Sequence, residues 1–128
     1  MSRWTARVAT ALFCTASTPL LAHHSAIGFD QTKSATVTGI VREFEWTNPH
    51  AYIQLKVKDK AGKEQEWSFE MGPPYTLQKH GWKPGTLRPG QTITVVYNPL
   101  RKGGNSGLTQ KVLDDKGNSF DKDAGAAK

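Results

Sequence analysis

The strongest constraint on this chain is the alternation over residues 50–58. Ala51, Ile53, Leu55 and Val57 fall on one side of an extended backbone, and Tyr52, Gln54, Lys56 and Lys58 fall on the other. Successive side chains of a strand point to opposite faces, so the pattern describes a strand with one face in a core and one in water. Residues 65–71 repeat it, with Trp67, Phe69 and Met71 inward and Glu66, Ser68 and Glu70 outward. Asp59-Lys60-Ala61-Gly62-Lys63 between them has hairpin chemistry, so the two strands are expected to pair antiparallel.

Turn residues divide the rest of the chain in the same way. Residues 35–46 carry Val37, Thr38, Ile40, Val41 and Phe44 and read as a first strand, with Gly39 as a bulge or bend. Thr47-Asn48-Pro49 ends it, because proline has no N–H for a ladder and drives Asn48 toward extended geometry. Gly72-Pro73-Pro74 stops the third strand, and residues 75–80 have room for two helical turns closed by Gly81. Pro84-Gly85 and Pro89-Gly90 are turn signals. Residues 91–97 form a fourth strand ended by Asn98-Pro99-Leu100, a loop follows over 101–107, and residues 108–113 form a fifth. Three strands, a short helix and two strands is the order of the five-stranded oligonucleotide/oligosaccharide-binding (OB) barrel, which often binds ligands on the face of strands two and three. The expected fold is therefore mainly β, an OB-like barrel with one short helix between strands three and four. An open β-sandwich of the same strands is the alternative.

The front of the chain is organised differently. Arg3 and Arg7 precede an apolar and small-residue stretch over 8–16, then Ser17-Thr18-Pro19 and Leu20-Leu21-Ala22. That is the order of a secretory signal peptide, and the apolar run is too short to span a bilayer. Bulky Phe13 before Cys14 does not suit lipoprotein processing, so the only cysteine is expected to leave with the signal. Cleavage after Ala22 would leave 106 residues with fifteen basic against eleven acidic side chains, a net charge of +4. The expected product is a periplasmic domain over 23–117 with a disordered tail over 118–128, no disulfide, and no stable membrane insertion. So modest a positive excess does not point to nucleic acid.

The same cleavage would expose His23 as a new amino terminus, followed by His24 and Ser25. A terminal histidine offers its α-amino nitrogen and its Nδ1 to one metal ion, and a second imidazole completes a nitrogen-rich site of the kind called a histidine brace. Such donors suit Cu(II), so copper is the expected cofactor. The further nitrogen would come from His24 or from His50, which follows the Asn48-Pro49 turn. The plainer role for His50 is a hydrogen bond to backbone at a strand end. His80, beside Gly81 at the helix end, is left out of the site because a histidine there can serve terminal carbonyls.

Trp46, Trp67 and Trp82 with Tyr52, Phe69 and Tyr75 are candidates for an aromatic platform, though a small domain also needs large aromatics simply to build a core. Glu43, Glu45 and Glu70 are carboxylates near strand ends, where a pair can do acid–base work. The loop Arg101-Lys102-Gly103-Gly104 has the composition to cradle an anion, or simply to be a solvated turn. No nucleophile motif, Walker loop, dinucleotide fingerprint or two-cysteine zinc pattern is present, so an enzyme is not indicated.

Several of these segments together resemble a family of secreted proteobacterial proteins catalogued as a domain of unknown function. They are Ala22-His23-His24-Ser25 with Phe29 and Asp30, Glu45-Trp46-Thr47-Asn48-Pro49-His50, Trp67 and Glu70 before Gly72-Pro73-Pro74, Gly81-Trp82, and Asn98-Pro99-Leu100-Arg101. The motif positions are His23, His24, Trp46, Asn48, Pro49, His50, Glu70 and Trp82, and His80 does not belong to the pattern. The resemblance implies an exported, stand-alone domain without an assigned activity. Three functional readings follow. The first is a periplasmic binding module for a metal, with His23, His24 and His50 as copper ligands. The second is a barrel that binds an oligosaccharide, peptide or envelope protein through Trp46, Asn48, Tyr52, Trp67 and Glu70. The third is a copper-dependent oxidase, for which so short a chain leaves little room for a substrate platform.

Overall fold

All five expected strands form, each within two residues of its expected limits: β1 Ala35–Glu45, β2 Tyr52–Lys58, β3 Glu64–Glu70, β4 Thr92–Pro99 and β5 Ser106–Leu113. The computed structural model describes residues 24–122. A one-turn helix α1, His24–Ile27, precedes β1, and α2, Pro74–Lys79, lies between β3 and β4. The signal peptide, Cys14 and His23 lie outside the described residues, and His24 is described by its backbone alone.

The strands close into a barrel in the order β1-β2-β3-β5-β4. β1 is long because it serves two partners. Its first half pairs with β4 from Ala35 opposite Tyr97, and its second half pairs with β2 from Ile40 opposite Lys56 to Glu45 opposite Tyr52. That double pairing excludes the open sandwich and gives the OB topology. The seam is β3 against β5, parallel over only Ser68–Ser106, Phe69–Gly107 and Glu70–Leu108. Gly39 is not the bulge. The register shifts between Val41 and Glu43 instead. Gly39 sits where β2 crosses so closely that a Cβ would come within 2.7 Å of the Lys56 carbonyl oxygen.

The inward residues of the alternating strands fill the barrel: Ala51, Ile53, Leu55, Phe69, Ile93 and Val95 are fully buried. Burial of each large apolar side chain contributes roughly 1.5–3 kcal/mol, and Trp82, just after α2, is the largest of those almost wholly enclosed. Pro74 suits the first turn of α2 because its missing N–H has no intrahelical partner there. Gly81, at φ +89°, takes the left-handed conformation that ends the helix.

Residues 118–122, expected to belong to a disordered tail, are ordered, and residues 123–128 lie outside the described residues. Asp114 Oδ1 accepts from the backbone N–H groups of Lys116 and Asn118, turning the chain back on itself. Ser119 then bridges Leu113, and Phe120 N–H donates to the Val112 carbonyl. Phe120 packs on Trp82 at 5.7 Å between ring centroids, and Asp121 Oδ1 accepts from Trp82 Nε1 at 2.6 Å. An aromatic and a carboxylate hidden in a charged, small-residue segment therefore tie residues 119–122 to the core.

Candidate functional site on the outer face of the first three strands

All five glutamates of the chain lie on β1 and β3, on either side of β2. Strand register sorts them into rows. Tyr52 stands opposite Glu45 on one side and Glu70 on the other; Gln54 stands between Glu43 and Ser68; Lys56 faces Glu66 and Lys58 faces Glu64. Away from the connection between β1 and β2, the charges are matched. Lys56 Nζ lies 3.1 Å from Glu64, and Arg42 lies 3.6 Å from both Glu43 and Glu66.

The row nearest that connection has no cationic lysine or arginine of its own. Glu45 Oε1 accepts from the Gln54 amide at 2.8 Å, and Glu70 Oε1 lies 2.8 Å from His50 Nδ1. Burial, and then the negative charges of Glu70 and Glu45, push the Tyr52 phenol above its ordinary pKa. A phenolate there would be poorly solvated and would face two carboxylates.

His50 is fixed from several directions. Its carbonyl accepts from the Thr47 hydroxyl at 3.0 Å, closing the Thr47-Asn48-Pro49 turn, in which the Asn48–Pro49 bond is cis. The next residue, Ala51, extends the β2–β3 ladder by bonds to Gly72 and Met71. The imidazole is one-quarter exposed and the Glu70 side chain about one-tenth exposed. An ionised carboxylate can only accept, so His50 Nδ1 carries the shared proton. In the neutral ring, Nε2 is then left with the lone pair. The plainer expectation, a histidine bonded to backbone, is replaced by a carboxylate partner. Glu70, expected to be outward and solvated, is instead buried by that pairing and by its place at the end of β3.

The remaining candidates divide by face. Trp67 points inward: it stacks on Phe69 at 5.8 Å and meets Tyr97 edge-on at 5.8 Å. Phe69 is completely buried. Trp46 packs against Phe44 at 5.7 Å and so continues the aromatic chain from Phe44 to Trp82. These aromatics are core rather than a platform, because strand parity puts Trp67 and Phe69 on the face opposite Tyr52. Asn48 is exposed in the connection before β2, and Tyr75 is exposed on α2. His80 caps α2, and its carbonyl accepts from the Lys122 N–H. Among the described residues, no three His, Cys, Asp or Glu side chains converge as a metal-binding group. The structure thus brings together His50, Tyr52, Glu45 and Glu70 of the expected residues and adds Gln54.

Residues 11–110 match the model of a family of unknown function (DUF6152). No curated protein matches the chain. Among solved structures, it is similar to the mitochondrial single-stranded DNA-binding protein Rim1 of S. cerevisiae, with 10% identity over 70% of this chain and 94% of that one and a TM-score of 0.48. It is also similar to TiaS in its complex with an isoleucine tRNA and ATP, with 13% identity over 67% of this chain and 19% of that one and a TM-score of 0.47. The fold assignment rests on the strand pairing of this chain itself.

Proposed function

The chain belongs to the DUF6152 family, a family of unknown function, and from that premise we propose that it is an exported binding module that holds copper between the amino terminus of a chain cut after Ala22 and the imidazole of His50. The observation that carries this reading is the 2.8 Å contact between His50 Nδ1 and Glu70. Metal-binding histidines characteristically give their second ring N–H to a carboxylate, which sets the tautomer, aims the ring and makes the other nitrogen a better donor. His50 has that carboxylate, a ring partly open to solvent, and a backbone held by Thr47 and the β2–β3 ladder.

Chain length permits the second half of the site. Phe29 is bridged to Leu100, just beyond Asn98, and Asn98, Leu108 and Glu70 lie side by side on β4, β5 and β3. Those two strand spacings amount to about 10 Å. Once α1 unwinds from its helical rise of about 1.5 Å per residue, the six residues from Phe29 back to His23 can reach up to about 20 Å. His23 would supply its amine and Nδ1, with His24 as the alternative imidazole. The carboxylates of Glu45 and Glu70 beside the site would favour a cation. The reading as a barrel that binds an oligosaccharide, peptide or envelope protein is weaker, because Trp67 and Phe69 face the core.

The test is a Cu(II) titration of protein recovered from the periplasm, with its first residue identified by mass spectrometry. The mature chain is expected to begin at His23 and to bind tightly. One extra residue before His23 should weaken binding at least 100-fold, as should His50→Ala, while Glu70→Gln should cost roughly 10–100-fold. A different first residue, or unchanged affinity in His50→Ala, would overturn the proposal.

A further inference from the structure

Away from the His50 row, one strand is left half paired. β1 pairs with β4 from Ala35 to Ile40, but its ladder with β2 begins only at Ile40 opposite Lys56. Among the described residues, the stretch 35–39 therefore has β4 on one side and no strand on the other. Main-chain bonding shows which groups this leaves open. Val41 N–H donates to the Gln91 carbonyl, and the Val41 carbonyl accepts from Gly90 N–H, so Val41 bonds toward β4. Bonding direction alternates from residue to residue along a strand, and the register of residues 35–40 against β4 is unbroken. Ala35, Val37 and Gly39 therefore also bond toward β4. Thr36 and Thr38, both exposed, turn their N–H and carbonyl groups to the free edge.

Such edges are usually blunted by a lysine, a proline or a bulge. None of these falls within residues 34–41, a run without a single charge. The adjoining β2–β3 hairpin, in contrast, is basic, with Lys56, Lys58, Lys60 and Lys63 exposed against Asp59 and Glu64. Asp59 is used inside the turn, where its carboxylate accepts from the Ala61 and Lys63 N–H groups. Glu64 pairs with Lys56 at 3.1 Å. Among the described residues, Lys58 has no ion-pair partner, although it stands opposite Glu64 in the ladder. Lys56 and Lys58 line one groove with Thr38, Gly39 and Ile40, where β1 parts from β2.

We propose that this edge of β1 is a docking site for an extended acidic peptide segment, which adds a strand beside Thr36 and Thr38 and sets its carboxylates near Lys58 and the hairpin lysines. Strand addition draws affinity from main-chain bonds and selectivity from the flanking side chains. A second copy of the chain fits less well, because each edge lies beside its own hairpin and joining two edges would crowd two basic hairpins at one junction. Single-stranded nucleic acid would find no aromatic side chain for base stacking in residues 33–41 or 56–64. None of these residues takes part in the copper reading, so either proposal can fail alone.

The probe is a capped peptide, Thr-Glu-Val-Glu-Val-Glu-Thr, added to the purified protein and followed by NMR and amide hydrogen exchange. In the free protein, the Thr36 and Thr38 amides should exchange at least tenfold faster than that of Val37, which is bonded to β4. Saturating peptide should shift residues 35–38 and slow exchange at Thr36 and Thr38 at least tenfold. Lys58→Glu, a change at an exposed position, should weaken binding at least tenfold, as should lysine in place of the peptide's glutamates. A peptide methylated on alternate main-chain nitrogens keeps the charges and loses the strand bonds, so it too should bind at least tenfold more weakly. Thr36 and Thr38 amides already protected in the free protein, equal binding of the methylated peptide, or equal binding of an oligothymidylate would each overturn the proposal. Self-association that protects the same two amides would overturn it in favour of a second copy.

Discussion

The His50 end of β2 and the seam between β3 and β5 both set polar atoms against apolar packing, and they do so in opposite ways. At His50 both carboxylates of the row have a partner: Glu70 has the imidazole and Glu45 has Gln54, while the His50 carbonyl has Thr47. At the seam the apolar work is done by Trp82, Leu77 and Val112, and one hydroxyl, that of Thr109, is left over. The first region is a polar network laid on the outside of a finished barrel. The second is where the barrel itself is closed, by α2 and the strap of residues 119–122 rather than by a full strand pairing. Stability should therefore depend mainly on the seam, and ligand chemistry at the outer row should be alterable with little effect on folding.

The largest effect that would sharpen this contrast is Trp82→Ala. Trp82 is 1% exposed, touches Phe44 and Phe120, and anchors the strap through Asp121. Truncating a buried aromatic costs about 3–5 kcal/mol. In a domain whose whole stability is of order 5–15 kcal/mol, that should produce a large fall in the urea midpoint. His50→Ala removes one partner of a partly exposed pair and should cost only about 1–2 kcal/mol. A His50→Ala loss as large as that of Trp82→Ala, measured by urea unfolding, would break the division between the regions.

Much of this was legible in the sequence, and the missing parts have physical causes. Alternation identified the inner face of β2 residue by residue because one periodic signal, burial, repeats along the strand. The hairpin also carried more than the pairing of two strands. With Lys58 opposite Glu64 across the turn, counting outward puts Tyr52 opposite Glu70 and places His50 beside that carboxylate. The register, and not a motif, reveals the dyad. The partnership of Glu45 with Gln54 needed the β1–β2 register, which a bulge between Val41 and Glu43 displaces, and no composition rule locates such a bulge. The strap was hidden for a different reason. Its order comes from long-range contacts of Phe120 and Asp121 with Trp82, and the surrounding lysines, glycines and small residues resemble a solvated tail.

The smallest expected effect tests whether the outer row acts as a unit. Tyr52 is held neutral by burial, then by the charges of Glu70 and Glu45, so its folded pKa lies above that of the unfolded chain. The folded protein then keeps the phenol proton in a range where the unfolded chain releases it. Stability from this group is complete below the unfolded value and falls as pH rises through the window up to the folded pKa. Following phenolate absorbance during an alkaline titration, with Tyr52→Phe subtracted to isolate this residue, should place its transition above the ordinary range near 10. Glu45→Gln should bring the transition part of the way down, and Glu70→Gln should do the same, while a mutation in the matched rows, Glu64→Gln, should leave it where it is. Equal shifts from all three variants would mean that Tyr52 senses only the general charge of the face, and the row beside His50 would then lose its claim to a separate electrostatic identity.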